Sequence, residues 1–360
     1  MDIYEQLRET LDAHPATAPP ASSISEILRI LFTPEEAAIA ARMSFKPKSA
    51  AALAEAAGVS ETEAEQQLES MADKGVIGCR RKAGNKLYSL SPVIPGVFEV
   101  PFMKGERTPM LERLAPLWEE YHHEVMGASF AGNPTPFMRV VAVEASIEAR
   151  DRIHPYEEVR HLIDGADHLA LSNCACRVSA EKCDKPREVC INFNDAALFI
   201  EERGFGRRIS KEEALAVLDK AEAAGLVHMS NNSADRAGVI CNCCPCCCTI
   251  LRGKTQLNHP HAFEPSRYEA RVDGAECIAC GLCAEERCPL KTIEMREDAA
   301  CVSSDNCIGC GLCVTTCPTG AIRLAERESI PLVVATGLEL VAKVAQDKGR
   351  LEKFMEVLQR

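Results

Sequence analysis

Twenty of the 360 residues are cysteine, and eight of them fall into two runs with nearly the same spacing. The first run is Cys277, Cys280, Cys283 and Cys288, the last followed by Pro289. The second is Cys307, Cys310, Cys313 and Cys317, followed by Pro318. In each run three thiols, each separated by two residues, precede a fourth that stands just before a proline. Thiolates spaced in this way wrap a tight loop around one face of a polynuclear metal group, with backbone amides pointing in at it. Gly281 and Gly311 relieve crowding in that wrap. Four-cysteine zinc sites usually present two C-x2-C pairs instead. Iron–sulfur chemistry, and with it the movement of single electrons, is therefore the expectation for this part of the chain.

The paired runs resemble the bacterial ferredoxins that hold two [4Fe–4S] clusters. What the resemblance implies is that the fourth cysteine of each run crosses to the other cluster. One cluster then takes Cys277, Cys280, Cys283 and Cys317, and the other takes Cys307, Cys310, Cys313 and Cys288. The crossing ties the two repeats together, so neither half is expected to fold alone. One departure stands out. Four residues, Ala284 to Arg287, precede Cys288 where the family's usual spacing is three, and the extra residue is expected to bulge a loop or lengthen a turn.

Ten more cysteines lie upstream: Cys174, Cys176, Cys183 and Cys190, then Cys241, Cys243, Cys244, Cys246, Cys247 and Cys248. Neighbouring thiolates repel one another unless they are protonated or share a cation, and a metal keeps them deprotonated. One or more further iron–sulfur clusters are the simplest occupant, with structural zinc as the alternative. Cys174, Cys176, Cys183 and Cys190 could supply one set and several of Cys241 to Cys248 another, or both could share a larger cluster. The pattern resembles a cysteine-rich domain found ahead of ferredoxin modules in proteins of anaerobes, a resemblance that fixes no activity. Arg177 beside Cys176 could donate N–H groups to a cluster sulfur. His228 reads as a hydrogen-bonded hairpin residue. Cys79 and Cys301 have no motif partners and read as small core residues.

The start of the chain, Met1-Asp2-Ile3-Tyr4-Glu5, lacks the basic start and apolar stretch of a secretory signal. The apolar run Ile330 to Leu338 is too short to span a bilayer. A cytoplasmic setting follows as the expectation, where stable disulfides are rare. The net charge of −12 disfavours non-specific nucleic-acid binding and suits docking to basic patches on redox partners. There is no P-loop, no glycine-rich dinucleotide fingerprint and no haem-attachment motif in the sequence.

The elements that must position these residues read as an α+β multidomain chain. Residues 1–100 carry helix starts at Thr33-Pro34 and at Ser60, with Glu36 and Glu63 completing capping boxes. A helix over Ala50 to Ala57 ends at Gly58, and a short hairpin turns at Gly84-Asn85. This order resembles a winged-helix domain over residues 24–92. The helix that would enter a DNA groove is acidic, from Ser60 to Glu69, which argues for docking or structure rather than DNA. Residues 101–262 form a mixed α/β cysteine-rich segment, with strands at Phe137–Val143 and His168–Ser172, a helix from Ser210 to Gly225 and a hairpin over Leu226 to Cys241. Residues 263–326 are the ferredoxin-like dicluster segment, and 327–360 a tail of amphipathic helices.

These features favour an electron carrier, or an electron-transfer subunit of a larger anaerobic oxidoreductase complex, over a stand-alone enzyme. The expected partners are redox proteins. The alternatives are a redox-sensing winged-helix regulator and a reductase whose central cluster is catalytic.

Overall fold

The structure, a computed structural model, describes residues 2–147 and 159–360. Helices over Ile3–Asp12, Ser22–Leu31, Pro34–Ala40, Ala50–Ala57 and Glu61–Lys74 open the chain. Local chemistry sets their ends. Thr33 and Glu36 close a reciprocal capping box, and Ser60 accepts from the Glu63 amide. Gly58 and Gly75 stop their helices in the left-handed region at φ +71° and +76°, where a side chain would be strained. Strands β1 (Ile77–Lys82) and β2 (Asn85–Leu90) then pair as an antiparallel hairpin.

Three of the hairpin's four basic residues stand near carboxylates of the chain, and the fourth, Lys82, is exposed. Arg80 lies 3.9 Å from Asp195, Arg81 3.4 Å from Glu202 and Lys86 2.8 Å from Glu69. Charges spent on these carboxylates are not presented as a phosphate-binding face.

The centre of the molecule is a six-stranded antiparallel sheet. Its strands are β3 (Met138–Val140), β4 (Leu169–Asn173), β5 (Glu188–Phe193), β6 (Gly206–Arg208), β7 (Val227–Asn231) and β8 (Val239–Cys243). Their spatial order is β3-β7-β8-β5-β4-β6. β5 and β8 are interior strands, and from Val189 to Phe193 every residue of β5 is buried. Helix Lys211–Ala223 seals one region of the sheet with Ala214, Val217, Leu218 and Ala221 against Leu171, Ile191 and Ile240. Helix Asn194–Glu202 packs Ala197 and Ile200 against Ala170 and Phe205.

β3 is shorter than the apolar run Phe137–Val143 suggests. Val141 still donates to the His228 carbonyl of β7, and beyond it the chain leaves the sheet as Val143 donates to the Cys310 carbonyl, both at 2.9 Å.

In the third segment β9 (Tyr268–Val272) pairs with β12 (Ile322–Glu326), and β10 (Ile293–Arg296) with β11 (Ala299–Val302). Helices Gly337–Asp347 and Leu351–Gln359 return to the start of the chain. There Arg350 contacts Asp12 at 2.5 Å, and the Phe354 ring meets His14 edge-on at 5.6 Å. One apolar core runs from Leu7 through Val227 and Met229 to Leu312 and Val344, so it draws on all four expected segments. Among the described residues no helix is long and apolar enough to cross a membrane.

Candidate metal centres

The central cysteines come from four places that only the sheet brings together. Cys241 and Cys243 alternate along β8 and so share a face. Cys190 lies on β5 beside them, where Ile191 pairs with Ile240 and the register carries Cys190 toward Cys241. Cys174 and Cys176 follow β4 at the start of helix Ala175–Ala180. Cys248 caps helix Thr249–Thr255.

These six thiols act on one another in a closed ring, each shifting the titration of the next: Cys174 with Cys176 and Cys190, Cys190 with Cys241, Cys241 with Cys243, Cys243 with Cys248, and Cys248 with Cys176.

The other four form a separate, tighter group. Cys183, Cys244, Cys246 and Cys247 have all their sulfurs within 4.8 Å of one another. Cys183 Sγ stands 3.8 Å from Cys244 Sγ and 3.7 Å from Cys247 Sγ. Cys183 therefore lies with Cys244, Cys246 and Cys247 rather than with Cys174, Cys176 and Cys190, the nearer thiols in sequence. After helix Ala175–Ala180, Glu181 takes a left-handed φ of 49°, and the loop carries Cys183 away to the Cys244–Cys247 turn.

Electrostatics explain why neither group suits free thiols. Cys244 is pushed down to about 4 by the Cys247 thiol and, against the cost of burial, by Arg177. Its neighbour Cys246 is pushed up to about 12 by burial and by the Cys244 charge. Cys176 is likewise pushed up to about 12, chiefly by the Cys174 thiol. One deprotonation resists the next, and a bound cation removes that conflict.

Arg177 is fully buried, at 0% exposure, between the two groups. Its Nε donates to Cys244 Sγ at 3.4 Å, and its terminal nitrogens donate to the carbonyls of Pro186 and Asn242. Its charge also acts on Cys174 and Cys190.

His228 is hydrogen-bonded rather than aimed at a sulfur. Its Nδ1 meets Asn242 Oδ1 at 2.5 Å and its Nε2 meets Glu222 Oε1 at 3.1 Å. Asn242 and Glu222 carried no motif signal. Asn242 is legible only as the residue between Cys241 and Cys243 that faces the other side of β8. Cys79 is half-buried against Arg203, and Cys301 sits half-buried in β11.

In the third segment two small cavities open at the cysteine runs. Cys307, Cys310, Cys313 and Cys288 line one. Cys277, Cys280, Cys283 and Cys317 line the other. Each cavity thus draws three thiols from one run and one from the other, a donor set that fits a cubane. Backbone amides reach the sulfurs as well: Thr292 N–H lies 3.2 Å from Cys288 Sγ and Ala270 N–H 3.5 Å from Cys307 Sγ.

Residues 264–328 match the family of 4Fe-4S dicluster domains. No curated protein and no solved structure matches the chain.

Within the dicluster domain the extra residue of the first run is absorbed by a wider helical turn. Cys283–Arg287 forms a single π turn, closed by the Cys288 amide on the Cys283 carbonyl at 2.9 Å. The loops differ at one further point. Ala279 adopts φ +51° with its side chain in place, whereas at the equivalent Gly309 a Cβ would lie 2.0 Å from the Tyr268 carbonyl oxygen and 2.2 Å from Ser266 Oγ. Gly309→Ala must push a strand away from the Cys307 loop. It is expected to cost about four irons per chain, measured by metal analysis, while Ala279→Gly keeps them all.

The two cavities are not equally placed. Ile278 is 63% exposed, while its repeat equivalent Ile308 is 3% exposed. Cys280 is exposed, and Cys310 and Cys313 are buried. The inner cavity faces the central sheet. Beyond the Val143–Cys310 bond, Arg287 next to Cys288 donates to the carbonyls of Glu222 and Ala223 at 3.0 and 3.2 Å. Glu222 in turn holds His228 and, through it, Asn242 between two central cysteines.

Proposed function

We propose that the chain is an electron-transfer protein, or the electron-transfer subunit of a larger redox assembly. The unequal exposure of the two cavities carries this reading. The Cys277/Cys280/Cys283/Cys317 cluster is the port to an outside partner, and the Cys307/Cys310/Cys313/Cys288 cluster is the inner step toward the central cysteine-bound metal. Each [4Fe–4S] cluster supplies a one-electron redox couple. The protein's own part is to hold the two clusters side by side, shield the inner one from water and couple it to the sheet. Arg287, Glu222, His228 and Asn242 form the hydrogen-bonded bridge between the inner cluster and the ring of six thiols.

Exposed Glu276, Glu285 and Glu286 stand around the port, which suits a partner with a basic docking face. The N-terminal helices and hairpin serve as scaffold. The acidic helix Glu61–Lys74 and the pairing of Arg80, Arg81 and Lys86 with carboxylates of the chain favour this role over DNA binding.

The test is reoxidation of the reduced protein by cytochrome c, a basic electron acceptor. The expected rate falls steeply as salt rises, and Glu285→Lys/Glu286→Lys slows it further at low salt. A rate indifferent to both salt and these charges would overturn the port assignment.

A further inference from the structure

We propose that the ten central cysteines serve two unlike metal sites: a tetrad that holds one zinc ion, and a ring of six that holds a single polynuclear iron–sulfur cluster larger than a cubane.

The spacing of the sulfurs separates the two sites. A tetrahedral ion bonded to four thiolates at about 2.3 Å sets the sulfurs about 3.8 Å apart. Cys183, Cys244 and Cys247 meet that spacing at 3.8 and 3.7 Å, and Cys246 completes a set gathered within 4.8 Å. A cubane places each thiolate outside its own iron, which spreads the sulfurs much further.

The dicluster domain provides the internal comparison. Among the described residues only the tetrad is gathered so tightly, so neither cubane set of the dicluster domain is, and neither is the ring. No three of the ring's sulfurs lie that close to one another, as suits donors placed around a polynuclear group rather than around one ion. It also has six donors, two more than the corners of one cubane take, and Cys174, Cys190, Cys243 and Cys248 among them are buried. Six thiolates in one closed circuit outnumber the four irons of a cubane, which points to a larger cluster.

The two sites meet at Arg177. The tetrad fastens the Cys183 loop to the Cys244–Cys247 turn, and that turn follows directly on the β8 cysteines of the ring. A redox-inert ion there is positioned to hold the ring's geometry still while the cluster changes charge.

This deepens the electron-transfer reading by saying what the inner station is. It is decided by metal content, whereas that reading is decided by electron flow. Anaerobically purified full-length protein is expected to hold about one zinc and more than about twelve irons, the dicluster domain accounting for about eight. Zinc K-edge absorption is expected to show four sulfurs at about 2.3 Å and no neighbouring metal. Cys183→Ser and Cys246→Ser are expected to lose zinc and keep iron. Cys174→Ser, Cys190→Ser and Cys243→Ser are each expected to alter one and the same iron spectrum while zinc stays. Iron in the tetrad, a metal neighbour in the zinc spectrum, about eight irons in all, or two ring positions whose substitution leaves the iron spectrum unchanged would each overturn the proposal. The absorption and iron measurements on the intact protein decide it even if a serine variant fails to fold.

Discussion

Cys288→Ser is expected to remove about four irons per chain and to disconnect the outer cluster from the central metal. Cys288 lies in the first cysteine run but lines the inner cavity with Cys307, Cys310 and Cys313. Its loss therefore empties the inner position and leaves the four thiols of the outer cavity, Cys277, Cys280, Cys283 and Cys317, complete. In rapid-mixing experiments the outer cluster should still be reduced by an external donor, while reduction of the central metal falls to background. Cys280→Ser should give the converse pattern, with the inner cluster present and the port closed. If Cys288→Ser instead leaves the inner spectrum intact and abolishes the outer one, the crossing is wrong. If both disappear, the tie between repeats governs folding of the whole domain, and the electron-flow readout must come from Cys280→Ser.

Arg177→Met is expected to be among the most damaging single changes outside the ligands. The guanidinium is wholly buried and satisfied by two carbonyls and a thiol, and it stands between two groups of negative sulfur. Removing one partner from a buried charge set costs about 3–5 kcal/mol, because the remaining charge is left uncompensated. The loss should appear as a lower urea midpoint in circular dichroism. A second effect separates charge from packing. Without the positive charge, an added electron on the central metal is less stabilised, so its midpoint potential should move to more negative values. Arg177→Lys keeps the charge but not the three-way fork, so it should restore much of the potential and little of the stability. A variant that loses stability with no change in potential would reduce Arg177 to a packing residue.

Cys288 and Arg177 differ greatly in how far the sequence reveals them. Cys288 was readable from spacing alone, because both runs, their glycines and the prolines after them lie in contiguous sequence. The extra residue in the first run was also visible there. Its accommodation as a π turn depends on which carbonyl the Cys288 amide reaches. The capping box at Thr33 and the stops at Gly58 and Gly75 were equally legible, since each is settled within one turn of helix. Arg177 was noticed as a neighbour of Cys176, yet its acceptors, Cys244 and the Asn242 and Pro186 carbonyls, are remote in sequence or hidden in a loop. Asn242, Glu222 and Arg287 gave no signal at all, because a hydrogen-bonded bridge between domains has no local pattern.

What the sequence by itself determined is the dicluster domain, the cysteine-rich character of the centre and the helices whose ends are capped locally. The reason is that neighbours in the chain carry those instructions. What the tertiary structure decided is how ten central thiols divide and which of two near-identical repeats faces inward. Cys190 joins Cys241 because β5 lies beside β8, and Cys183 leaves its sequence neighbours because a left-handed Glu181 redirects the loop. Ile278 and Ile308 occupy the same place in the repeat, and only the packing of the Val143–Ser146 segment and Tyr268 against the second repeat covers one and leaves the other in water. Burial and strand register are properties of the folded chain, and they expose one run and cover the other, a difference that their closely similar spacing does not contain.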